Sequence, residues 1–130
     1  MGVRTNGMTI LLVDDDYECR RLMRQDLELK GYSVKTADGE RDAIERASCV
    51  RPDMILLEMG KVSSLQTLDM GCRIRSDARA GDNVKVVVYA DRADETVSEG
   101  GEVSMGPNEY VILPEDSEQL ECFLTRILRK

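Results

Sequence analysis

Four segments of strand length are apolar almost throughout: Ile10-Leu11-Leu12-Val13, Met54-Ile55-Leu56-Leu57, Val84 to Tyr89, and Tyr110-Val111-Ile112-Leu113. A strand exposed on one face alternates apolar and polar residues. Runs without alternation therefore predict strands covered on both faces, as in a parallel sheet flanked by helices. A fifth segment, Tyr32-Ser33-Val34-Lys35-Thr36, does alternate and predicts a half-exposed strand near an edge.

The stretches between these runs carry helical period. In the last, Leu120, Phe123, Leu124, Ile127 and Leu128 share one face behind Asp116 as N-cap, with Gln119 three residues on. The first helix is expected from about Asp16 to Lys30, with Cys19, Met23 and Leu27 at four-residue spacing and Gly31 as its stop. Asp38 is expected to cap a second helix carrying Ala43, Ile44 and Ala47, and Leu65, Leu68 and Cys72 mark a third before Gly81-Asp82-Asn83. A fourth, from Asp91 to about Glu99, has only Ala93 and Val97 on its apolar side; Gly100-Gly101 would end it, leaving a mobile loop to Pro107. Strand and helix thus alternate five times. Right-handed crossovers then place helices on both faces of one five-stranded parallel sheet, a doubly wound α/β fold.

The chain has 130 residues, one domain's worth against a prior of about 150 per domain, so residues 1–130 are read as a single domain. Its 18 Lys and Arg against 25 Asp and Glu give a formal charge of −7, which argues against nucleic acid and against an anionic membrane surface as partners. No apolar run approaches the ~20 residues of a membrane span and the first residues lack a secretory apolar block, so a cytoplasmic location is expected. Gly2 fails as an N-myristoylation site because Asn6 stands where Ser or Thr is required. There is no histidine, and Cys19, Cys49, Cys72 and Cys122 are widely spaced, which excludes a zinc site of ordinary spacing and any Ser-His or Cys-His dyad. The cysteines are read as small core hydrophobes.

In open α/β sheets, ligands sit beyond the carboxyl ends of the strands, where strand order reverses. After the first strand come Asp14, Asp15 and Asp16, Glu58 ends the third, and Tyr89-Ala90-Asp91 end the fourth. With the first and third strands adjacent, Asp14, Asp15 and Glu58 would form a carboxylate cluster suited to a hard divalent cation such as Mg2+. Asp16 is assigned instead to the helix N-terminus, where acidic residues complement the macrodipole.

ILLVDD at Ile10 to Asp15, PDMILLE at Pro52 to Glu58 and MGPNEYVILP at Met105 to Pro114 resemble, in register, the three signature blocks of the receiver domain of bacterial two-component response regulators. The resemblance implies a flavodoxin-like sheet in the order 2-1-3-4-5. It also implies a phosphorelay site in which an aspartate ending the third strand takes a phosphoryl group from a histidine kinase. The acidic pair, here Asp14 and Asp15, would hold Mg2+ together with the Gly60 carbonyl. Three positions depart from the pattern: Glu58 replaces the acceptor aspartate, Tyr89 the Thr or Ser ending the fourth strand, and Leu113 the lysine after the fifth.

Each departure acts against phosphoryl transfer. The extra methylene of Glu58 displaces its carboxylate by about a bond length, and a ~1 Å error costs ~100-fold in a positioned reaction. Leu113 supplies no charge to offset the phosphoryl group, and the Tyr89 ring fills space that group needs. Asp53, at the start of the third strand, lies ~16 Å from its far end and is no substitute acceptor. Three acids without an obvious cation leave two outcomes open: a divalent ion held by Asp15, Glu58 and the Gly60 carbonyl, or one protonated carboxyl, with Arg92 or Lys61 able to swing in.

The expected function is an atypical, phosphorylation-independent receiver, not an enzyme, acting by protein-protein interaction. The alternative is a working phosphoacceptor using Glu58 with Mg2+. A flavin or nucleotide enzyme on the same sheet is disfavoured, since Asp14 to Asp16 would repel a phosphate. The resemblance places the output surface on the fourth helix, fifth strand and fifth helix, with Tyr110 either an interface residue or a half-buried aromatic on an edge strand. Glu118, Glu121, Thr125 and Arg129 are read as a solvated face. A histidine kinase and a second copy of the chain are the partners considered; if the chain ends at Lys130, output is expected through docking.

Overall fold

The structure, a computed structural model, describes residues 7–129; Gly2, Asn6 and Lys130 lie outside them. Ten elements follow in order: β1 (Thr9–Val13), α1 (Tyr17–Leu29), β2 (Ser33–Ala37), α2 (Glu40–Val50), β3 (Met54–Glu58), α3 (Ser64–Asp77), β4 (Lys85–Tyr89), β5 (Glu102–Gly106), β6 (Glu109–Ile112) and α4 (Ser117–Leu128). They build one sheet in the order β2-β1-β3-β4-β6-β5. The five expected strands are parallel in the expected order.

Both faces of the sheet are covered, as the unbroken apolar runs require. Leu11, Val13, Ile55, Leu57, Val86 and Val88 pack toward Ala43 and Ala47 of α2 and Leu68 and Ile74 of α3. Ile10, Leu12, Met54, Leu56, Val87 and Ile112 pack toward Leu27 of α1 and Leu120, Phe123 and Leu124 of α4. Alternate side chains of each central strand thus enter opposite cores, the period-two geometry of a strand buried twice. α3 approaches the sheet closely enough that a Cβ on Gly71 would lie 2.5 Å from Val86 Cγ1 and 2.7 Å from Leu57 Cδ1.

Helix starts follow local chemistry. Asp16 and Asp116 cap α1 and α4, accepting from the N–H groups of Cys19 and Gln119. Ser63 and Gln66 form a reciprocal capping box on α3. The expected Asp38 cap of α2 is corrected: Gly39 occupies the N-cap, and the Asp38 N–H instead donates to Asp42 Oδ2 at 3.2 Å. The cysteines are corrected too. Cys19, Cys49 and Cys122 are exposed and Cys72 is half-buried, because aliphatic side chains already fill both cores.

The largest departure lies after β4. Residues 91–101 form no helix. Asp94 accepts from the N–H groups of Thr96 at 2.9 Å and Val97 at 3.2 Å, an Asx-type turn that competes with helical bonding, and Val97 is buried. The expected mobile loop to Pro107 is instead β5, antiparallel to β6 through a tight turn at Pro107-Asn108, with a register shift between Ser104 and Gly106. The sheet therefore has six strands, and the side expected to carry a fourth helix presents a loop and an antiparallel edge.

Candidate functional site

The carboxyl ends of β1, β3 and β4 open into a cleft of about 460 Å³ lined by Asp14, Asp15, Asp16, Cys19, Glu58, Met59, Gly60, Lys61, Asp91 and Arg92. The adjacency of β1 and β3 brings the three expected acids to one place, as the strand order requires. Cys19 is an addition, and Asp91, expected at the end of the fourth strand, joins the three acids. Asp91 lies two residues past β4, and Cys19 lies one turn into α1, three residues after the cap, a spacing that marks it as facing the strand ends.

Asp14 is 6% exposed; its Oδ1 accepts from the Asp16 N–H at 2.9 Å, and its Oδ2 is buried with no hydrogen-bond partner. Burial raises its pKa. Its own carbonyl accepts from Arg20 Nη1 at 2.6 Å, which ties the strand end to α1. Asp15 is exposed. Asp16 bonds the Cys19 N–H at 2.9 Å, and that bond lowers its pKa; this is the helix-cap role assigned to it.

Glu58 ends β3 opposite Tyr89 in the parallel ladder and is half-buried. Burial, then the charges of Asp14, Asp91 and Asp16, pushes its pKa up to about 7. Tyr89 is half-buried among the side chains facing α1 and α4, and burial followed by the Glu58 charge raises its phenol. Together Glu58 and Tyr89 floor a second groove, about 390 Å³, between α1 and the start of α4.

Leu113 lines neither opening. It is 5% exposed, packs into the core facing α2 and α3, and is fixed by backbone bonds to Gly101 (3.0 Å, donated) and Gly100 (2.8 Å, accepted). Tyr110, expected as an interface residue or a half-buried edge aromatic, is corrected. It is 4% exposed on an interior strand, its hydroxyl donates to the Pro107 carbonyl at 3.0 Å, and its ring meets Phe123 edge-on at 5.8 Å. β5 covers the edge on which Tyr110 would otherwise lie. Asp53, at the opposite end of the sheet, accepts from the Thr9 N–H at 2.8 Å.

The cations of the cleft are Lys61 and Arg92. Arg92 Nη2 donates to the carbonyls of Gly60 at 3.0 Å and Val62 at 3.1 Å, and Nη1 donates to Asp91 at 2.8 Å. Mg2+ demands near-octahedral oxygen ligands at about 2.1 Å. The unpartnered Asp14 Oδ2 is one such donor. The Gly60 carbonyl, however, is engaged by a guanidinium, and among the described residues no three His, Cys, Asp or Glu side chains converge to hold a metal ion. The donor set does not fit a divalent ion as arranged. Carboxylates dominate the lining of the cleft, and Leu113, the residue after β6, is aliphatic and packs into the core facing α2 and α3.

Asp94 also shapes the site, through a contact that no local sequence pattern marks. Its Oδ2 accepts from the Ser64 N–H at 2.8 Å and its Oδ1 from the Ser64 hydroxyl at 3.0 Å, which latches the loop after β4 to the start of α3. These bonds, led by the Ser64 N–H, hold its carboxyl down at about 2.

The family model for the response regulator receiver domain matches residues 10–124. Among curated proteins, the chain is 31% identical over 121 residues to the response regulator MprA of Mycolicibacterium vanbaalenii, covering 93% of this chain and 50% of that protein. It is 32% identical over 123 residues to MprA of Mycobacterium leprae, covering 95% and 52%. The chain thus spans about half the length of these relatives. Among solved structures, the Vibrio cholerae chemotaxis protein CheY4 superposes with a TM-score of 0.67 at 20% identity over 92% of this chain and 98% of that one. The Thermotoga maritima response regulator TrrA, solved in complex with Mg2+-BeF, gives 0.67 at 22% identity over the same shares. At these identities the structures establish the shared fold.

Proposed function

This chain belongs to the response regulator receiver domain family of two-component signalling, and from that premise we propose that it is an atypical receiver that signals by docking to proteins without being phosphorylated. The observation that carries the reading is Glu58. At the acceptor position stands a half-buried carboxyl with a pKa of about 7, among carboxylates and facing Tyr89 across the ladder. A nucleophilic carboxylate must be ionised and its product's added charge must be offset; Glu58 is substantially protonated near neutrality, and Leu113 offsets nothing. The reading therefore assigns no enzymatic step and no resident Mg2+.

The elements of the expected output face are also tied to one another. Tyr110 is held inward by Phe123 and the Pro107 carbonyl, and β5 is tied to α4 through Glu102, which accepts from Arg126 and from Gln119 Nε2 at 3.1 Å. In this reading the docking surface is made by β5, β6 and α4, in place of the helix-bearing face expected from the sequence. Its partners in this reading are proteins: a histidine kinase, a downstream effector or a second copy. No helix among the described residues is long and apolar enough to cross a membrane.

The test is incubation with acetyl phosphate and Mg2+ followed by intact-mass measurement, with Glu58→Gln as control. An unchanged mass supports the reading. A phosphoryl adduct that is absent from the Gln variant overturns it.

A further inference from the structure

The acidic cleft is crossed by a cation of the protein's own. Arg92 lies three residues past β4, and its guanidinium reaches the Gly60 and Val62 carbonyls at 3.0 and 3.1 Å while holding Asp91 at 2.8 Å. These contacts join the loop after β4 to the loop between β3 and α3, the two loops that flank Asp14 and Glu58. We propose that Arg92 is the specificity-determining residue of this cleft: its guanidinium is a built-in counter-charge that fixes the β3–α3 loop and competes with divalent cations for the Gly60 carbonyl.

Three physical features support this assignment. A guanidinium is planar, charged at every accessible pH and forked, so its two terminal nitrogens bridge two carbonyls and a carboxylate in a fixed geometry, whereas a lysine presents its three donors from a single point on a flexible stem. A divalent ion on the Gly60 oxygen would sit about 2.1 Å from it, and therefore within about 5 Å of the Arg92 nitrogen already bonded there. At that separation the repulsion between +2 and +1 weakens binding about tenfold even in water-like surroundings. Finally, Asp14 Oδ2 is buried, unpartnered and at the wall of the cleft, so the anionic half of a cation site survives while the carbonyl half is taken.

The proposal deepens the reading of the cleft given above and rests on it in treating the metal as dispensable; the two fail separately. A phosphoryl adduct on Glu58 would overturn the reading without changing which residue controls cation affinity.

The experiment is calorimetric titration of the whole chain with Mg2+ at fixed ionic strength, paired with 15N relaxation of the amides of residues 60–62. Wild type, Arg92→Ala, Arg92→Lys and the double variant Arg92→Ala/Asp14→Asn are compared. Removing Arg92 is expected to tighten Mg2+ binding about tenfold or more. It should also loosen residues 60–62 in metal-free solution, and the Asp14→Asn change should abolish the gained affinity. Arg92→Lys keeps the charge but not the fork, so it should loosen the loop while leaving Mg2+ binding within about threefold of wild type. Equal Mg2+ affinities in wild type and Arg92→Ala, including the case in which neither binds, overturn the proposal. So does an unaltered loop in both single variants.

Discussion

Replacing Glu58 by glutamine should stabilise the protein, and only above a definite pH. In the unfolded chain the carboxyl titrates near its ordinary value of 4.5, whereas in the fold burial and the charges of Asp14 and Asp91 push it to about 7. Between those values the folded state holds a proton that the unfolded state has lost, so stability falls as pH rises through the window and levels off above about 8. A displacement of about 2.5 units at ~1.36 kcal/mol per unit is about 3.4 kcal/mol in full, and partial solvent access at this strand end reduces it to roughly 2–3 kcal/mol. Glutamine has nearly the same shape and does not titrate. Wild type and Glu58→Gln should therefore unfold alike near pH 4.5, while at pH 8 the variant is more stable by that amount, roughly 6–12 °C in Tm for a domain of this size. Thermal unfolding by circular dichroism, with urea titrations at pH 5, 6, 7 and 8, measures the divergence. A difference independent of pH would refute the reasoning, because it would mean that Glu58 is already neutralised in the fold by a charge partner.

Two further variants probe what positions the cleft. Asp94→Ala removes the acceptor of four hydrogen bonds and should destabilise by about 1–3 kcal/mol in urea titrations. Because its folded pKa of about 2 lies below the unfolded 3.8, the contribution of Asp94 is present above pH 4 and is lost as pH falls through 2, so wild type and variant should converge in acid. Gly71→Ala, which at an exposed helical position would gain ~0.5–1 kcal/mol, should here cost about 1–3 kcal/mol, since the new methyl meets Val86 and Leu57 inside 3 Å. Thermal unfolding reads the sign directly.

The sheet was legible because its central strands are buried twice and so carry unbroken apolar runs, and α1, α3 and α4 were legible from apolar spacing. The segment after β4 was not. Ala93 and Val97 gave too little helical face to fix its form, and what decided it was the Asp94 carboxyl bonding its own backbone and Ser64, a contact across 30 residues. β5 is short, half-exposed and alternates only weakly; it is defined by pairing with β6 rather than by its own composition. Asp14, Asp15 and Glu58 line one opening because β1 and β3 are neighbours, an adjacency implied by the family resemblance. The burial of Tyr110 is not legible in the sequence, because it depends on β5 covering the edge, whereas the side of the sheet that Tyr110 and Leu113 face follows from the alternation along their strand. Arg92 is a cation within reach of the cleft on sequence alone, but its grip on Gly60 and Val62 depends on the loop geometry.

The central claim is that this receiver has lost its grip on a phosphoryl group at Glu58. The most direct measurement is a 1H-15N spectrum of the labelled chain titrated with Mg2+ and beryllofluoride, the phosphoryl mimic. Amide signals of Glu58, Ala90 and Tyr110 should remain in place at donor concentrations that saturate a conventional receiver. Concerted shifts of those signals, saturating with beryllofluoride and absent in Glu58→Gln, would contradict it.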